Sequence, residues 1–354
     1  MFELKNIQTE DDVFRELSEN IDRLITVDLP FRTVSSRLYS DTRAKYDEPL
    51  TLCAAKALQE SLKERAVVLI ATGWPDRPHI NPNIAETDGP PGAALMGMAL
   101  HRAMEAMVIF LIEKNLIPAM EAVCAAAGFK AIPPEELMVA AESKAPLHAA
   151  AIMGFPTEIS KAEEVSADLI NTFPVRAIVS IEKGGMNEKG VIHTSRGDDT
   201  TGPMAKVDIL MRKGKESGIL TLGIGDGGNE IGMGVIAEEL REWLPFGKRC
   251  RCPCGNGIVP VTKTDFLVPA AVSNWGAYGI SAVMALLEGK REVFHSAGIE
   301  HRVLLSCIEA GLIDGGSGYV SGGVDALPIS VHMSIVNLLG ELVNKGLALK
   351  RVHA

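Results

Sequence analysis

The chain has no excess of positive charge. Its 354 residues include 35 Lys or Arg and 45 Asp or Glu, which gives a formal net charge of −10. A field of this sign repels phosphate backbones, and the basic residues are scattered along the chain rather than clustered. The composition therefore argues against nucleic-acid binding, and we expect no nucleic-acid partner.

Long uninterrupted apolar segments are also lacking. The longest apolar stretch covers residues 93–112. It is interrupted by His101, Arg102 and Glu105, so we expect a buried helix rather than a membrane span. Residues 1–12 are polar and acidic, without the apolar core of a secretory signal or the basic pattern of a transit peptide. We therefore expect a cytoplasmic protein with no membrane partner.

Cysteine is scarce, with six residues in the chain. Three of them alternate along the sequence as Cys250, Cys252 and Cys254. This spacing differs from the usual zinc patterns, and no His or fourth Cys lies close in sequence. In a cytosolic setting such thiols stay mostly reduced. We favour structural or incidental thiols here over the alternative, a metal site.

Several catalytic signatures are missing. The histidines show no spacing of four residues and no His-Glu-x-x-His pattern, which argues against a zincin-like metal site. No Gly-x-Ser-x-Gly elbow is present, which argues against a serine hydrolase of the α/β type. The chemistry must therefore come from other polar groups.

The composition is that of a globular protein with a large core, since 47% of the residues are hydrophobic and 34 are glycine. No linker-like segment divides the chain. We predict one catalytic domain over residues 1–354, made of an N-terminal helical segment (1–48) and an α/β core (49–354).

The apolar pattern predicts strands that alternate with helices. In the N-terminal segment, Val13, Leu17, Ile21 and Leu24 are spaced as on a helix. Short apolar runs predict strands at 66–71, 175–181, 219–224 and 266–272. Helical patterns lie at 49–63, 92–114, 204–215, 229–243 and 277–287. This order indicates a three-layer α/β/α fold with a largely parallel central sheet. In such folds, sites lie in the loops at the carboxyl ends of the strands.

The loop after the first predicted strand begins with Thr72 and Gly73 and continues to Glu86 and Asp88. These two carboxylates directly precede a helix start that Gly and Pro residues stiffen. Such a pair suits a divalent cation or an ammonium group. The alternative is that Asp88 only caps the following helix.

The loop at 223–234 contains glycines that superficially match a dinucleotide fingerprint. Asp226 and Glu230 contradict that reading, because their charges would repel a pyrophosphate. With Asn229 they instead offer oxygen ligands to a cation or amine. The structural alternative is a tight helix entry with capping carboxylates.

Further polar groups follow the other predicted strands. Lys183 and Arg196 are natural partners for a substrate carboxylate or phosphate, and Ser273 and Asn274 are neutral groups that could orient a substrate. Near the C-terminus two acids stand in glycine loops and are further candidates for the same cleft. They are Asp314 and Asp325.

Four motifs together resemble one known family. They are Glu-Thr-Asp-Gly-Pro at 86–90, Gly-Asp-Gly-Gly-Asn-Glu-Ile-Gly-Met-Gly at 225–234, Ser-Asn-Trp-Gly at 273–276 and Val-Asp at 324–325. In this combination the chain is similar to the C-terminal domain of the D-glutamate cyclase family, and the likeness extends from about residue 38 to residue 325. The second motif is the most specific.

The resemblance implies a lyase that converts D-glutamate to 5-oxo-D-proline. This reaction needs a general base for the amine, an activated carboxyl group and a substrate held in ring geometry. Under this hypothesis we expect Asp226 or Glu230 to act as the base, with Glu182 as a further catalytic acid. Lys183 and Arg196 would hold the α-carboxylate. The remaining substrate contacts would come from Thr72, Gly73, Asn229, Ser273 and Asn274.

An acidic cleft that receives an anionic substrate needs compensating positive charge. We therefore expect bound Mg²⁺ or Mn²⁺, with Glu86, Asp88 and Asp226 as ligands. Two other functions stay open at this point: a metal-dependent phosphatase or hydrolase of a small phosphorylated metabolite, and a non-catalytic amino-acid-binding protein. In each case the partner is a small molecule, and a homo-oligomer is possible.

Overall fold

A computed structural model describes residues 9–63, 66–143, 145 and 147–353. Residues 1–8, which form most of the polar start considered above, lie outside the described residues. The described part contains a seven-stranded parallel sheet covered by helices on both faces. The predicted three-layer α/β/α fold is therefore confirmed.

The strands, in chain order, are β1 (Val67–Ala71), β2 (Met107–Ile112), β3 (Lys130–Ala131), β4 (Ala149–Gly154), β5 (Val175–Ile181), β6 (Leu220–Gly225) and β7 (Phe266–Pro269). Their order across the sheet is β3-β4-β2-β1-β5-β6-β7, and all neighbours pair in parallel. The chain runs outward from β1 in one direction and later resumes at β5 in the other. The β1–β5 junction is therefore the point where the strand order reverses, and ligands bind at such junctions in open parallel sheets.

The helices, in chain order, are α1 (Glu10–Ile25), α2 (Ser35–Arg43), α3 (Leu50–Ser61), α4 (Pro90–Met104), α5 (Ile117–Ala127), α6 (Leu137–Glu142), α7 (Ile159–Thr172), α8 (Val207–Glu216), α9 (Ala237–Trp243), α10 (Ser273–Glu288), α11 (Ala297–Glu309) and α12 (Ile329–His353). None of these helices is long and apolar enough to cross a membrane.

The strands are apolar on both faces because both faces are covered. In β1, Val68 and Ile70 contribute to one core, which α1, α3, α4, α5, α10, α11 and α12 complete. The alternate residues Val67, Leu69 and Ala71 contribute to a second core beneath α6, α7 and α8. This alternation follows from the two-residue period of a strand. It explains why the strands appear in the sequence as continuous apolar runs.

The N-terminal segment is part of the first core. Thr9 begins α1 with a capping box that it forms with Asp12. The predicted spacing holds, since Val13, Leu17 and Ile21 are all buried on one face. This segment therefore packs on α10 and α12 and brings the following loop to the carboxyl edge of the sheet.

The helix predicted over 92–114 is wrong in its second half. The α4 helix ends at Met104, and Glu105 has a left-handed backbone with φ of 56°. The chain then enters strand β2, in which all six residues are buried. A fully buried strand and a fully buried helix carry the same uniform apolar signal, so periodicity could not separate them.

Two other predicted boundaries also differ. The helix predicted over 229–243 is α-helical only in α9, because Gly232 has a φ of 102° and the chain makes bridges to Lys263 there. The helix predicted to start at residue 277 begins at Ser273, so Ser273 and Asn274 form its first turn instead of the preceding loop.

Candidate active site

A cleft of about 770 Å³ opens at the carboxyl edge of the sheet, at the β1–β5 junction. Its walls come from the loops after β1, β5 and β6, together with the N-terminal segment and the 314–326 loop. Most of the residues that line it are polar or charged. The carboxylates on its walls are Asp76, Glu86, Glu182, Asp198, Asp199, Asp226, Glu230 and Asp325.

Three carboxylates meet beside this cleft, of which Glu182 and Asp226 line it. One oxygen from each of Asp88, Glu182 and Asp226 lies within 4.8 Å of the others. The three side chains are at most 8% exposed. We call these three residues the acid ring. The structure thus brings together acids from the loops after β1, β5 and β6, although they lie far apart in the sequence.

Asp88 is held by the amino terminus of α10. Its two oxygens accept hydrogen bonds from the backbone N–H groups of Ser273 and Asn274, both at 2.9 Å. These amides have no intrahelical partner, and they carry the positive end of the helix dipole. Asp88 therefore caps a helix, as the structural alternative proposed, but the helix is α10 and not the adjacent α4.

Asn274, in turn, caps the amino terminus of α4. Its Oδ1 accepts hydrogen bonds from Gly89 N at 3.1 Å and Gly92 N at 2.6 Å. A Cβ atom at Gly92 would lie 2.7 Å from that oxygen, so a glycine is required for this approach. The two helices therefore cap each other, which fixes Asp88 and directs two positive helix ends at the acid ring.

Glu230 shapes the glycine-rich loop after β6. Its carboxylate accepts hydrogen bonds from the backbone N–H groups of Asp226, Gly227 and Gly228, at 3.1, 2.6 and 2.8 Å. A Cβ atom at Gly225 would lie 2.9 Å from the Glu230 carboxyl carbon. The loop is thus wrapped around this side chain, and Glu230 fixes the position of Asp226.

Glu182 follows β5 directly and has a left-handed backbone with φ of 47°. Its Oε2 accepts a hydrogen bond of 2.5 Å from the Ser273 hydroxyl. A non-glycine residue in this conformation is uncommon and occurs often at functional sites. The conformation turns the chain away from the sheet immediately after the side chain that joins the acid ring.

Arg32 supplies positive charge to the cleft. Its Nη1 donates to Asp226 Oδ1 at 2.7 Å, and its Nη2 pairs with Asp325. The side chain is one-third exposed, whereas both acids are almost fully buried. Sequence reasoning missed Arg32, because it lies in the N-terminal segment and follows no strand. The hydrogen bond from its backbone N–H to Asp28 and the left-handed residues on either side, Phe31 and Thr33, hold it in place.

Burial dominates the protonation of these acids. It raises the pKa of Asp88 to about 8, and the neighbouring Asp226 adds to the shift. Burial likewise raises the pKa of Glu230 to about 7. The pKa values of Glu182 and Asp325 lie well above their usual range for the same reasons. The cluster therefore favours a bound proton or a cation near neutral pH.

Two acids predicted near the cleft occupy different places. Glu86 lines the cleft but is not part of the acid ring. Asp314 is buried, and its oxygens accept hydrogen bonds from Gly316 N, Ala326 N and the Ser317 hydroxyl. It shapes the loop that carries Asp325.

The predicted substrate contacts divide into two groups. Arg196 is exposed on the cleft wall. Lys183 is fully buried instead, and its Nζ donates to Glu113 Oε1 at 2.5 Å and to Gly73 O at 2.6 Å. None of these three residues lines the cleft. Lys183 and Gly73 therefore contact each other in the interior of the protein.

The two remaining predicted contacts have different surroundings. The Thr72 hydroxyl is buried and has no hydrogen-bond partner among the described residues. Asn229 lines the cleft, and its Nδ2 donates to the backbone carbonyl of His193 at 2.8 Å. Asn229 therefore joins the β6 loop to the long connection after β5.

Comparison with known proteins shows the family of the chain. The sequence matches the family model described as D-glutamate cyclase-like, C-terminal, over residues 21–340. The human (Homo sapiens) protein named "D-glutamate cyclase, mitochondrial" is 28% identical over 239 residues. That alignment covers 67% of this chain and 36% of the relative, so the chain spans little more than a third of the relative's length. Because the family match extends over most of the chain and includes every loop of the acid ring, the chain belongs to the D-glutamate cyclase-like C-terminal family.

Proposed function

We propose that the chain is a lyase that binds D-glutamate in the cleft and closes it to 5-oxo-D-proline with loss of water. Family membership and the name of the human relative support this reaction class. The observation that carries the proposal is the buried acid ring beside the arginine side chains of one cleft. D-Glutamate has one ammonium group and two carboxylates, so its charges complement this surface.

Ring closure sets clear demands on the site. A bond forms between the amine nitrogen and the side-chain carboxyl carbon, and one C–O bond of that carboxyl breaks. Two protons leave the ammonium group and depart with the released oxygen as water. The site must therefore accept protons at nitrogen, return them at oxygen and hold the chain in ring geometry.

Asp226 is the residue that we assign to proton transfer. Its Oδ1 accepts from Arg32, while its Oδ2 is buried and has no hydrogen-bond partner among the described residues. A carboxylate oxygen in this situation is a strong acceptor for an ammonium proton. We assign Glu230 to positioning, because backbone amides already occupy its oxygens.

Arginine side chains are the proposed partners of the substrate carboxylates. Arg196 is exposed on the cleft wall, and its guanidinium group can form paired hydrogen bonds with a carboxylate. Arg32 also lines the cleft, where it is paired with Asp226 and Asp325 and contributes positive charge. Lys183 is not part of this proposal, because its ammonium group is bound to Glu113.

The acid ring also fits a hard divalent cation. It offers three buried carboxylate oxygens within 4.8 Å of one another, which is the donor type that Mg²⁺ and Mn²⁺ prefer. We propose that Asp88, Glu182 and Asp226 are the ligands, so Glu182 takes the place that Glu86 had in the predicted set. Such an ion would withdraw electron density from the side-chain carboxyl group of the substrate.

Turnover of D-glutamate tests the function. We expect chiral chromatography to show 5-oxo-D-proline after incubation of the full chain with D-glutamate and Mn²⁺. Asp226→Asn should lower the rate at least about 100-fold, since proton transfer typically contributes that much. Asp168→Asn, an exposed acid on α7, is the charge-matched control and should keep the wild-type rate. A wild-type rate in Asp226→Asn, or no product from the wild type, would contradict the proposal.

Metal titration separates the two roles that Asp226 can have. If proton transfer is the main role of Asp226, so that Asp88 and Glu182 hold the ion without it, the Asp226→Asn variant should still bind Mn²⁺ in isothermal titration while its turnover is lost. If it is mainly a ligand, Mn²⁺ affinity should fall together with the rate. If the wild type binds neither Mg²⁺ nor Mn²⁺ and turns over without them, the metal assignment is wrong.

Two further predictions concern the setting of the reaction. A cytoplasmic location and a possible homo-oligomer both remain predictions for this chain. The human relative is named as a mitochondrial protein. Cell fractionation and sedimentation of the full chain would test the two predictions.

A further inference from the structure

A second group of metal-ligand side chains lies outside the acid ring. It consists of His193, Cys250, Cys252 and Cys254, whose ligand atoms all lie within 4.8 Å of one another. We call these four residues the thiol cluster. The sequence showed the three cysteines but no fourth ligand, because His193 lies 59 residues before Cys252. The fold brings this histidine to the thiols.

Four distances within the thiol cluster are close to those of a tetrahedral set of donors. The Cys250 sulfur lies 3.4 Å from that of Cys252 and 3.3 Å from that of Cys254. The Nε2 atom of His193 lies 3.2 and 3.5 Å from the sulfurs of Cys252 and Cys254. Around one zinc ion, sulfurs lie roughly 3.8 Å apart and a sulfur and a nitrogen roughly 3.5 Å apart. A small expansion of the present arrangement would produce those distances.

The surrounding backbone holds the cysteine loop in a compact turn. Gly255 and Gly257 have φ of 63° and 74°, and a Cβ atom at Gly257 would lie 2.0 Å from Gly247 O. Asn187 Nδ2 donates to Gly257 O at 2.8 Å and faces the Cys254 sulfur at 3.5 Å. Such contacts around a metal site orient the ligands.

We propose that the thiol cluster binds one structural Zn²⁺ through three cysteine thiolates and the Nε2 atom of His193. Three sulfurs and one imidazole form a closed four-ligand shell, which is typical of structural rather than catalytic zinc. On binding, each thiol releases its proton to solvent and the imidazole binds as the neutral base. From the sequence we favoured structural or incidental thiols for the three cysteines, and we now propose them as metal ligands.

The position of the thiol cluster explains what such an ion would stabilise. His193 belongs to the connection after β5, and Arg196 of the cleft wall follows it by three residues. The His193 carbonyl accepts from Asn229, and Gly197 O accepts from Arg251 N at 2.9 Å. Zinc would therefore fasten the wall that carries Arg196 to the 250–254 loop. The inference does not depend on the reaction proposed for the acid ring.

Metal analysis of the purified full chain tests this proposal. After dialysis against metal-free buffer, we expect about one zinc per chain by plasma mass spectrometry. Cys252→Ser and Cys254→Ser should each lower the zinc content at least about tenfold. Cys53→Ser, which removes a half-buried thiol on α3, is the matched control and should retain the zinc. Asp226→Asn should also retain it, because the acid ring is a separate site.

A second measurement avoids variants that fail to fold. Wild-type chain produced with Co²⁺ in place of Zn²⁺ should show the sulfur-to-cobalt charge-transfer and strong visible bands of a tetrahedral thiolate site. The proposal is overturned by a metal-free wild type whose cysteines are free or joined in a disulfide, or by a cobalt spectrum that lacks the sulfur-to-cobalt charge-transfer bands. Zinc that persists in both cysteine variants, or that is lost in Asp226→Asn, would likewise overturn it.

Discussion

At the scale of single residues, the acid ring is held by hydrogen bonds that also shape the backbone around it. Asp88 accepts from the first turn of α10, and Glu182 accepts from the Ser273 hydroxyl. The sequence predicted these acids because glycine loops carry them after apolar runs. It could not predict their partners, since the first turn of α10 lies far along the chain from both acids.

Glycine is needed where two segments of backbone meet behind the acid ring. A Cβ atom at Gly223 in β6 would lie 2.5 Å from the carbonyl oxygen of Ile231, whereas one at Gly202 would have no atom within 4 Å. We therefore predict that Gly223→Ala lowers the free energy of unfolding by about 1–3 kcal/mol, because the backbone must move. Gly202→Ala should change it by less than about 0.5 kcal/mol. Urea unfolding of both variants checks this, and equal stabilities would contradict the packing described here.

Arg32 shows what sequence reasoning missed at this scale. Ligand sites in parallel sheets are expected in the loops after the strands, whereas Arg32 follows helix α1. One local signal was present: the polar turn around residues 28–32, where Asp28 and Pro30 interrupt the helical pattern. A short turn is usually only a connection, so the turn alone did not indicate an ion pair with Asp226.

At the scale of elements, the joint between α1 and α3 depends on one buried acid. Asp22 of α1 accepts hydrogen bonds from Leu50 N and Thr51 N at 2.7 and 3.1 Å, and from the Thr51 hydroxyl at 2.5 Å. These are the amides that open α3, so Asp22 acts as a cap from a distant helix. Burial nevertheless raises its pKa from 3.8 to about 6.

This shift predicts a pH dependence with a definite sign. Because the folded-state pKa of Asp22 is raised, the folded chain keeps the proton between pH 3.8 and about 6 while the unfolded chain loses it. Stability from this group is therefore greatest at low pH and falls as pH rises through that range, by at most roughly 3 kcal/mol. Asp22→Asn should lose less stability than the wild type between pH 4 and pH 7 in urea unfolding. The exposed variant Asp168→Asn should follow the wild type, and parallel curves for all three would contradict the assignment.

The largest error at the element scale has a clear physical origin. The helix predicted over 92–114 contains most of α4 and all of β2. The strand and the first part of α4 are buried on every side, so neither shows a period, and the left-handed backbone at Glu105 lies between them. Helices with one exposed face were easier to predict from the sequence. In α1, for example, the spacing of Val13, Leu17 and Ile21 marks the buried face.

At the scale of the whole molecule, the fold class followed from the alternation of apolar runs and helical patterns. The strand order did not, because β2, β3 and β4 were not recognised and pairing is decided by contacts between distant segments. The order matters for function. It places β1 beside β5 at the reversal point, so the loops carrying Asp88 and Glu182 face each other.

The central claim is that acids from separate strand ends act as one site. A double-mutant cycle on D-glutamate turnover tests it most directly, using Asp88→Asn, Asp226→Asn and the double variant, each checked for native circular dichroism. If the two acids act as one unit, each single variant should lower kcat/KM at least about 100-fold, and the double variant should lose little more than the worse single one. Losses that multiply, or single variants with wild-type kcat/KM, would contradict a shared site.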